Sequence, residues 1–546
     1  MRKFLAGFLH AKKKGFASFF GGKNSFRAAS VILIVTLFLS NVLGVIRDHY
    51  LSQKIPTEIL SAYYAAFRIP DLLFNILILG AISSAFIPVF SSLLASRKKR
   101  QAWEVANSVI NIAIVALIIA CGILVILMPL LVPLFVPGFD EAKKLLTVQL
   151  ARIMLASPVF FGLSYIFGAI LNSFKRFLVY SLTPLVYNVS IILGTILFAD
   201  RIGIFGVALA VVAGAFLHLV IQIPVAVSLG WRWQSILNFK NSAVRKIGIL
   251  MFPRAIGLGA NQIMLLVFTG LASAIGGSAV AVYNLADNIQ TMPMVVFGTS
   301  FAMAIFPTLA EKYADGDMES FTTYFTKTLR SILFFMVPIV FGVVLLRAQI
   351  VRLILGSGHF GWQQTIDTAN TLSFFAVALV FTSTIPLLAR AFYGLHNTKV
   401  PMLVTIVTVI LSIIAGWLLA PSMGIRGLAL AYSIGSFFNS IILYWLLRSK
   451  FKIEEGSLLI FLIKVVMASL IMAVAIQEIK FLAALFVDMH RFWGVFTQTT
   501  LAIGGGIIIY LLIAWIFNCE EIASIKVVWA RVSGRSLADE TREPGE

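Results

Sequence analysis

The sequence predicts an all-α integral membrane protein of about 14 transmembrane helices: two six-helix lobes related as a parallel repeat, plus two C-terminal helices. Three observations predict it. Hydrophobic residues make up 60% of the 546 and charged residues 12%, with a mean hydropathy of +0.97, whereas a soluble domain carries about 25% charged residues. Apolar runs of about 20 residues, long enough to cross a bilayer as helices, recur as about six per half with two more after Ile453. Finally, Gly203-Ile204-Phe205-Gly206-Val207-Ala208-Leu209-Ala210 returns as Gly424-Ile425-Arg426-Gly427-Leu428-Ala429-Leu430-Ala431, and Tyr64, Ala85 and Pro88 return as Tyr283, Ala304 and Pro307. Both matches give a period of about 220 residues, too long for a solenoid unit.

Taken in order, residues 1–27 read as a basic cytoplasmic tail. Ser30 to Ile46 continues into Arg47-Asp48 without a small-residue cleavage site, so it reads as the first span and not as a cleaved signal. Residues 28–230 form the N-lobe with spans 1–6, and residues 231–245 a cytoplasmic linker in which Trp231 to Phe239 is expected to be an amphipathic helix on the membrane face. Residues 246–450 form the C-lobe with spans 7–12, residues 451–520 hold spans 13–14, and residues 521–546 are a cytoplasmic tail.

The net charge of +20 is sorted by side. Basic clusters precede the first span (Lys12 to Lys14), follow the second (Arg97 to Arg100), the fourth (Lys175-Arg176), the sixth (Trp231-Arg232 through Lys246), the tenth and the twelfth, and close the chain. Each lies after an even number of crossings, which places both termini in the cytoplasm by the positive-inside rule and removes the reason to expect nucleic acid. Opposite loops such as Gly276-Gly277 are poorer in basic residues, with Arg347 and Arg352 the main exceptions.

Catalytic patterns are lacking. The two cysteines, Cys121 and Cys519, sit in or at the end of apolar spans far apart in sequence and read as packing residues. The six histidines show no HExxH or i,i+4 pairing, and no phosphate-cradling glycine loop occurs. Gly504-Gly505-Gly506 lies within the final apolar span and reads as a close-packing surface. No enzyme activity, cofactor or metal is expected. A hydrophobic chain with a long internal repeat points instead to a transporter whose solute pathway lies where two bundles meet.

Ionisable residues at membrane depth are costly, so each is a candidate site residue. Arg47-Asp48 ends the first span. Arg68 and Asp71 lie three apart, hence on one helix face, with Pro70 between them and Asn75 a turn further on, as in a broken helix lining a wet cavity; an internal Arg68–Asp71 salt bridge is the structural alternative. Arg254 opens the second repeat beside Gly257, Gly259, Asn261 and Gln262, and Asp287 and Asn288 precede Pro293. In the repeat register Asp287 takes the place of Arg68, which would set opposite charges on the two lobes.

Val45-Ile46-Arg47-Asp48, then Tyr63 through Leu73 (YYAAFRIPDLL), then Gly80 through Val89 (GAISSAFIPV) form an ordered, gapless run. It resembles the N-terminal signature of the MurJ (MviN) lipid II flippases, of the multidrug/oligosaccharidyl-lipid/polysaccharide exporter superfamily. The similarity extends over nearly the whole chain, through Tyr283 to Pro293 and Gly298 to Pro307. The resemblance implies N- and C-lobes around a central cationic cavity, a cavity-facing arginine at Arg47, a basic position at Arg68, an acidic one at Asp287 and dependence on membrane potential. It departs where family members carry arginine and this chain has Asn41, Phe74 and Asn288, and where they carry glutamate and this chain has Leu79.

The resemblance implies a flippase moving lipid II across the bacterial cytoplasmic membrane by alternating access. A lipid-linked sugar pyrophosphate is then the substrate, the last two spans form a groove for its polyprenyl tail, and membrane lipids and cell-wall synthesis proteins are the candidate partners. Substrate-binding residues would be Arg47, Asp48, Arg68, Asp71, Asn75, Arg254, Asp287 and Asn288. The alternatives are a flippase for another undecaprenyl-pyrophosphate-linked oligosaccharide, and a multidrug antiporter of the same superfamily, which would need cavity carboxylates such as Asp71 and Asp287.

Overall fold

The computed structural model describes residues 26–76, 86–449 and 455–522, and the side chains of these except at 26–34, 250–258 and 455. Among the described residues every regular element is a helix. In order they are α1 (Phe26–Lys54), α2 (Thr57–Ala66), α3 (Arg68–Phe74), α4 (Ile87–Ala95), α5 (Lys99–Phe135), α6 (Glu141–Met154), α7 (Ser157–Ser173), α8 (Phe177–Ile202), α9 (Ile204–Val220) and α10 (Ile223–Ser228). There follow α11 (Ser242–Ile275), α12 (Ala279–Pro293) with a π-helical extension Met294–Thr299, α13 (Ser300–Ala314), α14 (Met318–Leu355), α15 (Trp362–Gly394), α16 (Lys399–Met423), α17 (Ile425–Arg448), α18 (Glu455–Phe486) and α19 (Phe492–Ile516).

Eleven described helical stretches are long and apolar enough to cross a membrane. With α1, the interrupted run from α2 to α4, and α11, they account for about 14 crossings. Their outer faces are apolar: Leu134 is 77% exposed, Ile126 74% and Phe486 84%, exposure that only a lipid solvent makes inexpensive. The chain is an all-α integral membrane protein.

By contacts the chain divides into two compact units, one of Met1–Met292, Ile354–Thr371 and Pro401–Gly435, the other of Pro293–Leu353, Leu372–Val400 and Ser436–Glu546. In the first, α8 packs against α1 and α9, and α7 against α5 and α9. An aromatic cluster fills the space under α4, α5 and α7: the Phe86 and Phe90 rings stack at 5.2 Å, and Trp103 stacks on Phe174 at 5.8 Å. The repeated Gly-Ile-x-Gly motif has one local form at both places. Gly203 and Gly424 each take φ of +60°, linking α8 to α9 and α16 to α17, and Gly206 and Gly427 each donate back to the first glycine's carbonyl, at 3.1 and 3.0 Å. A left-handed φ with no helical break longer than one residue is what glycine supplies at low cost.

In the second unit α18 and α19 pair along their length. A Cβ on Gly506 would lie 2.6 Å from Ile476 of α18, and one on Gly505 would meet Ile479, so the glycine run does admit close helix packing. Tyr510 of α19 donates to the Phe334 carbonyl of α14 at 2.6 Å. Cys121 and Cys519, one in each unit, are both buried and free.

The linker departs from expectation. Residues 231–238 form no helix and run as an irregular strap. Two asparagines of α5 hold it there. Asn107 Nδ2 donates to the Arg232 carbonyl at 3.0 Å, and Asn111 Nδ2 to the carbonyls of Gln234 and Ile236 at 2.7 and 3.0 Å. Their Oδ1 atoms receive the indole N–H groups of Trp231 and Trp233, both at 3.1 Å. Side-chain amides that meet the strap's backbone groups remove the need for an internal helical ladder, and the Trp231 ring closes edge-on against Phe167 at 4.8 Å.

Candidate functional site

The break at Pro70 sets the site. Proline has no N–H to give the Ala66 carbonyl, and the helix accordingly ends at Ala66, passes through Phe67 and restarts at Arg68. Arg68 and Asp71 both lie on α3, three residues apart. Arg68 is 8% exposed; its Nε donates to Thr269 Oγ1 of α11 at 2.7 Å and its Nη2 to Asn284 Oδ1 of α12 at 2.5 Å. The internal Arg68–Asp71 salt bridge is not formed, and Arg68 has only neutral hydrogen-bond partners among the described residues. Asn75 caps locally, donating to the Asp71 carbonyl at 2.8 Å.

At the end of the apolar stretch of α1, Arg47 Nε and Nη2 both donate to Asp48 Oδ1, at 3.0 and 2.9 Å, and Nη1 donates to Asn188 Oδ1 of α8 at 3.2 Å. Asn188 returns its amide to Ser40 of α1 at 3.3 Å, so α1 and α8 are joined through one side chain. The other Asp48 oxygen accepts from Asn288 of α12 at 2.8 Å, and the Tyr64 hydroxyl stands 3.5 Å from Oδ1. Asp48 is 3% exposed. The ion pair thus sits among neutral polar groups, Asn188 accepting from Arg47 and Asn288 and Tyr64 donating to Asp48, contributed by helices from both halves of the sequence.

Asp287 lies on α12 beside this cluster in sequence, but its carboxylate accepts from Gln290 at 2.8 Å. With Ser157, Tyr165, Tyr187 and His218, Asp71 lines a cavity of about 240 Å³ walled by phenylalanine and proline side chains, and its Tyr187 precedes Asn188, the partner of Arg47. The side chain of Arg254 lies outside the described residues. The structure therefore joins Arg47, Asp48 and Asn288 by hydrogen bonds, sets Arg68 on α11 and α12 through Thr269 and Asn284, and places Asp71 in the wall of a cavity. Arg152 and Arg390 cap helical carbonyls, at Val125 and Pro386.

The chain and its all-helical membrane fold have counterparts among known proteins. The sequence profile of the family described as Lipid II flippase MurJ matches residues 57–497. The chain belongs to this family. It is 27% identical over 457 residues to the probable lipid II flippase MurJ of Rickettsia prowazekii, covering 83% of this chain and 90% of that one. To the lipid II flippase MurJ of Burkholderia cenocepacia it is 25% identical over 443 residues, covering 78% and 84%. In structure it resembles a lipid II flippase MurJ in an inward closed conformation, with a TM-score of 0.76, 23% identity and coverage of 90% and 100%. It also resembles an inward-facing multidrug resistance MATE transporter, with a TM-score of 0.63, 18% identity and coverage of 77% and 98%. Both likenesses concern the fold.

Within this MurJ-family chain, sequence reasoning found the ionisable members of the cluster and missed Asn188, Thr269 and Asn284, which hold the two arginines. The one signal available was that each is a neutral polar residue inside an apolar span. At two of the positions where arginine was expected by resemblance, neutral contacts replace charge: Asn288 donates to Asp48, and the Phe74 ring packs on Tyr165 at 5.1 Å. Asn41 spends its amide on the Leu37 carbonyl at 2.8 Å.

Proposed function

We propose that this protein moves lipid II from the inner to the outer leaflet of the cytoplasmic membrane, by alternating access of two lobes and without a covalent step. The family match along residues 57–497 carries the reading. A pyrophosphate headgroup cannot cross hydrocarbon unpaired, so the protein must offer a polar, positively charged route, and the guanidinium fork suits phosphate oxygens while staying protonated. Arg68 fits that task because no carboxylate of the described residues is within salt-bridge distance of it, which leaves its charge for an anion. Arg47 would join it by exchanging Asn188 for phosphate while Asp48 holds the guanidinium in place. In this reading Arg254 completes the cationic surface, Asp48, Asp71 and Asp287 temper it when empty, Asn75 and Asn288 supply amide contacts, and both termini are cytoplasmic.

Arg47→Ala and Arg68→Ala should each reduce rescue of a flippase-depleted bacterium by about tenfold or more, since a hydrogen bond to a charged group contributes about 1.5–3 kcal/mol. Lysine at either position should restore part of it, keeping charge and losing the fork. Full rescue by the Arg47→Ala/Arg68→Ala double variant at normal abundance would refute the site. A second reading, transport of another undecaprenyl-pyrophosphate-linked oligosaccharide, is favoured by the neutral contacts at Phe74 and Asn288; failure of the wild-type chain to rescue, with headgroup transfer of a different lipid-linked sugar in vesicles, would select it.

A further inference from the structure

Three helices of the second unit bring together cations that the site above does not use. Arg347 and Arg352, near the end of α14, are the main exceptions to the side-sorting of charge, and Lys480 of α18 joins the first of them. Arg347 Nη1 donates to the Val344 carbonyl at 2.6 Å and Lys480 Nζ to the Leu345 carbonyl at 3.0 Å. Two like charges therefore sit on the carbonyls of adjacent residues, near enough to repel one another. A pair of amides fixes their surroundings: Gln498 of α19 donates to the Lys480 carbonyl at 2.8 Å and accepts from Gln349 of α14 at 3.2 Å, which ties α14, α18 and α19 at one level. Arg352, about a turn and a half further along α14, donates to the His490 carbonyl at 3.2 Å.

Among the described residues, none of these three cations has a carboxylate within ion-pair distance. Asp488 is taken by Arg491 at 3.2 Å, and Glu478, two residues before Lys480, is exposed and does not share its face of α18. Like charges that are half-buried and answered only by neutral carbonyls are costly unless an anion joins them. Depth selects the anion. At 1.5 Å per residue, Lys480 lies about 9 Å inside the end of α18 and Gln498 about 9 Å inside the start of α19. Exposed Phe486, Phe492 and Trp493 ring those two helix ends, as aromatic residues do at a membrane–water interface. The anions held at that depth are lipid phosphates, which basic pockets between transmembrane helices recognise. A guanidinium fork with an ammonium beside it suits phosphate oxygens.

We propose that Arg347 and Lys480 bind the phosphate of a lipid headgroup where α14, α18 and α19 meet. The orientation proposed above puts this site at the outer leaflet, and only its side rests on that reading. Two kinds of lipid offer the phosphate, an anionic phospholipid and a polyprenyl pyrophosphate. The test is native mass spectrometry of the delipidated full-length protein in detergent, titrated separately with phosphatidylglycerol, farnesyl pyrophosphate, zwitterionic phosphatidylcholine and inorganic pyrophosphate. Arg347→Gln/Lys480→Gln should weaken binding of phosphatidylglycerol or of farnesyl pyrophosphate by about tenfold or more, and the lipid with the larger loss is the occupant. Arg347→Lys should retain part of the affinity. Lys98→Gln/Lys99→Gln, which removes as much charge from the exposed turn before α5, should leave it unchanged. If Lys480→Gln lowers the melting temperature through its lost bond to α14, Arg347→Gln alone makes the same comparison, because Arg347 bonds within its own helix. Equal affinity in the folded variants, an equal loss in Lys98→Gln/Lys99→Gln, or binding of phosphatidylcholine or inorganic pyrophosphate as tight as that of both anionic lipids would overturn the proposal. Transport is not part of the readout, so the result stands apart from the proposed flippase activity.

Discussion

Asp48 holds more of the polar cluster together than Arg47 does. Its carboxylate receives Arg47, Asn288 and the Tyr64 hydroxyl and is 3% exposed, whereas the Arg47 side chain is 21% exposed. Removing one partner of a buried ion pair costs about 3–5 kcal/mol because the other charge stays behind. Asp48→Ala should therefore lower the melting temperature of the detergent-purified protein more than Arg47→Ala, which leaves the carboxylate with two neutral donors. The double variant should recover part of the Asp48→Ala loss, and strictly additive losses would contradict the coupling. Such residues are legible in sequence because charge inside an apolar run is rare. Asn188, Thr269 and Asn284 are not, since a neutral polar side chain in a span equally often satisfies its own helix, as Thr269 also does by donating to the Leu265 carbonyl at 2.8 Å.

The spans themselves follow from apolar length, and the break near Pro70 from the missing N–H, so both were legible. The strap over residues 231–238 was not. Its alternation of tryptophan with polar residues has the composition of an interfacial helix, and what overrides it is a pair of asparagines 120 or more residues earlier, one turn apart on α5. Local pattern cannot show a partner so distant in sequence. If those amides hold the strap, Asn107→Ala/Asn111→Ala should leave its carbonyls and both indoles unsatisfied, each lost bond costing about 1–3 kcal/mol where the group stays buried. Limited trypsin digestion in detergent should then cut faster at Arg232 than in the wild-type protein, while cleavage at Arg97 to Arg100 serves as the internal reference. Unchanged rates at Arg232 would show that ring packing against Phe167 suffices.

For the whole molecule, the repeat read from sequence finds a local echo in the shared +60° φ of Gly203 and Gly424, and it carries a definite orientation. Two six-helix lobes in parallel relation both begin on the side of the N-terminal tail, so the basic clusters of both halves fall on one face. Inverted repeats would instead alternate them. Cysteine labelling separates these cases, and the chain is suited to it because Cys121 and Cys519 are buried, 7% and 6% exposed, and their replacement by alanine leaves a silent background. In intact cells an impermeant maleimide should modify Gly277→Cys, at the exposed turn between α11 and α12, and should leave Lys98→Cys and Lys175→Cys unmodified until the membrane is opened. Labelling of either lysine position in sealed cells would reverse the proposed orientation, and opposite outcomes at Lys175→Cys and at Lys399→Cys, counterpart positions in the two halves, would replace the parallel repeat by an inverted one.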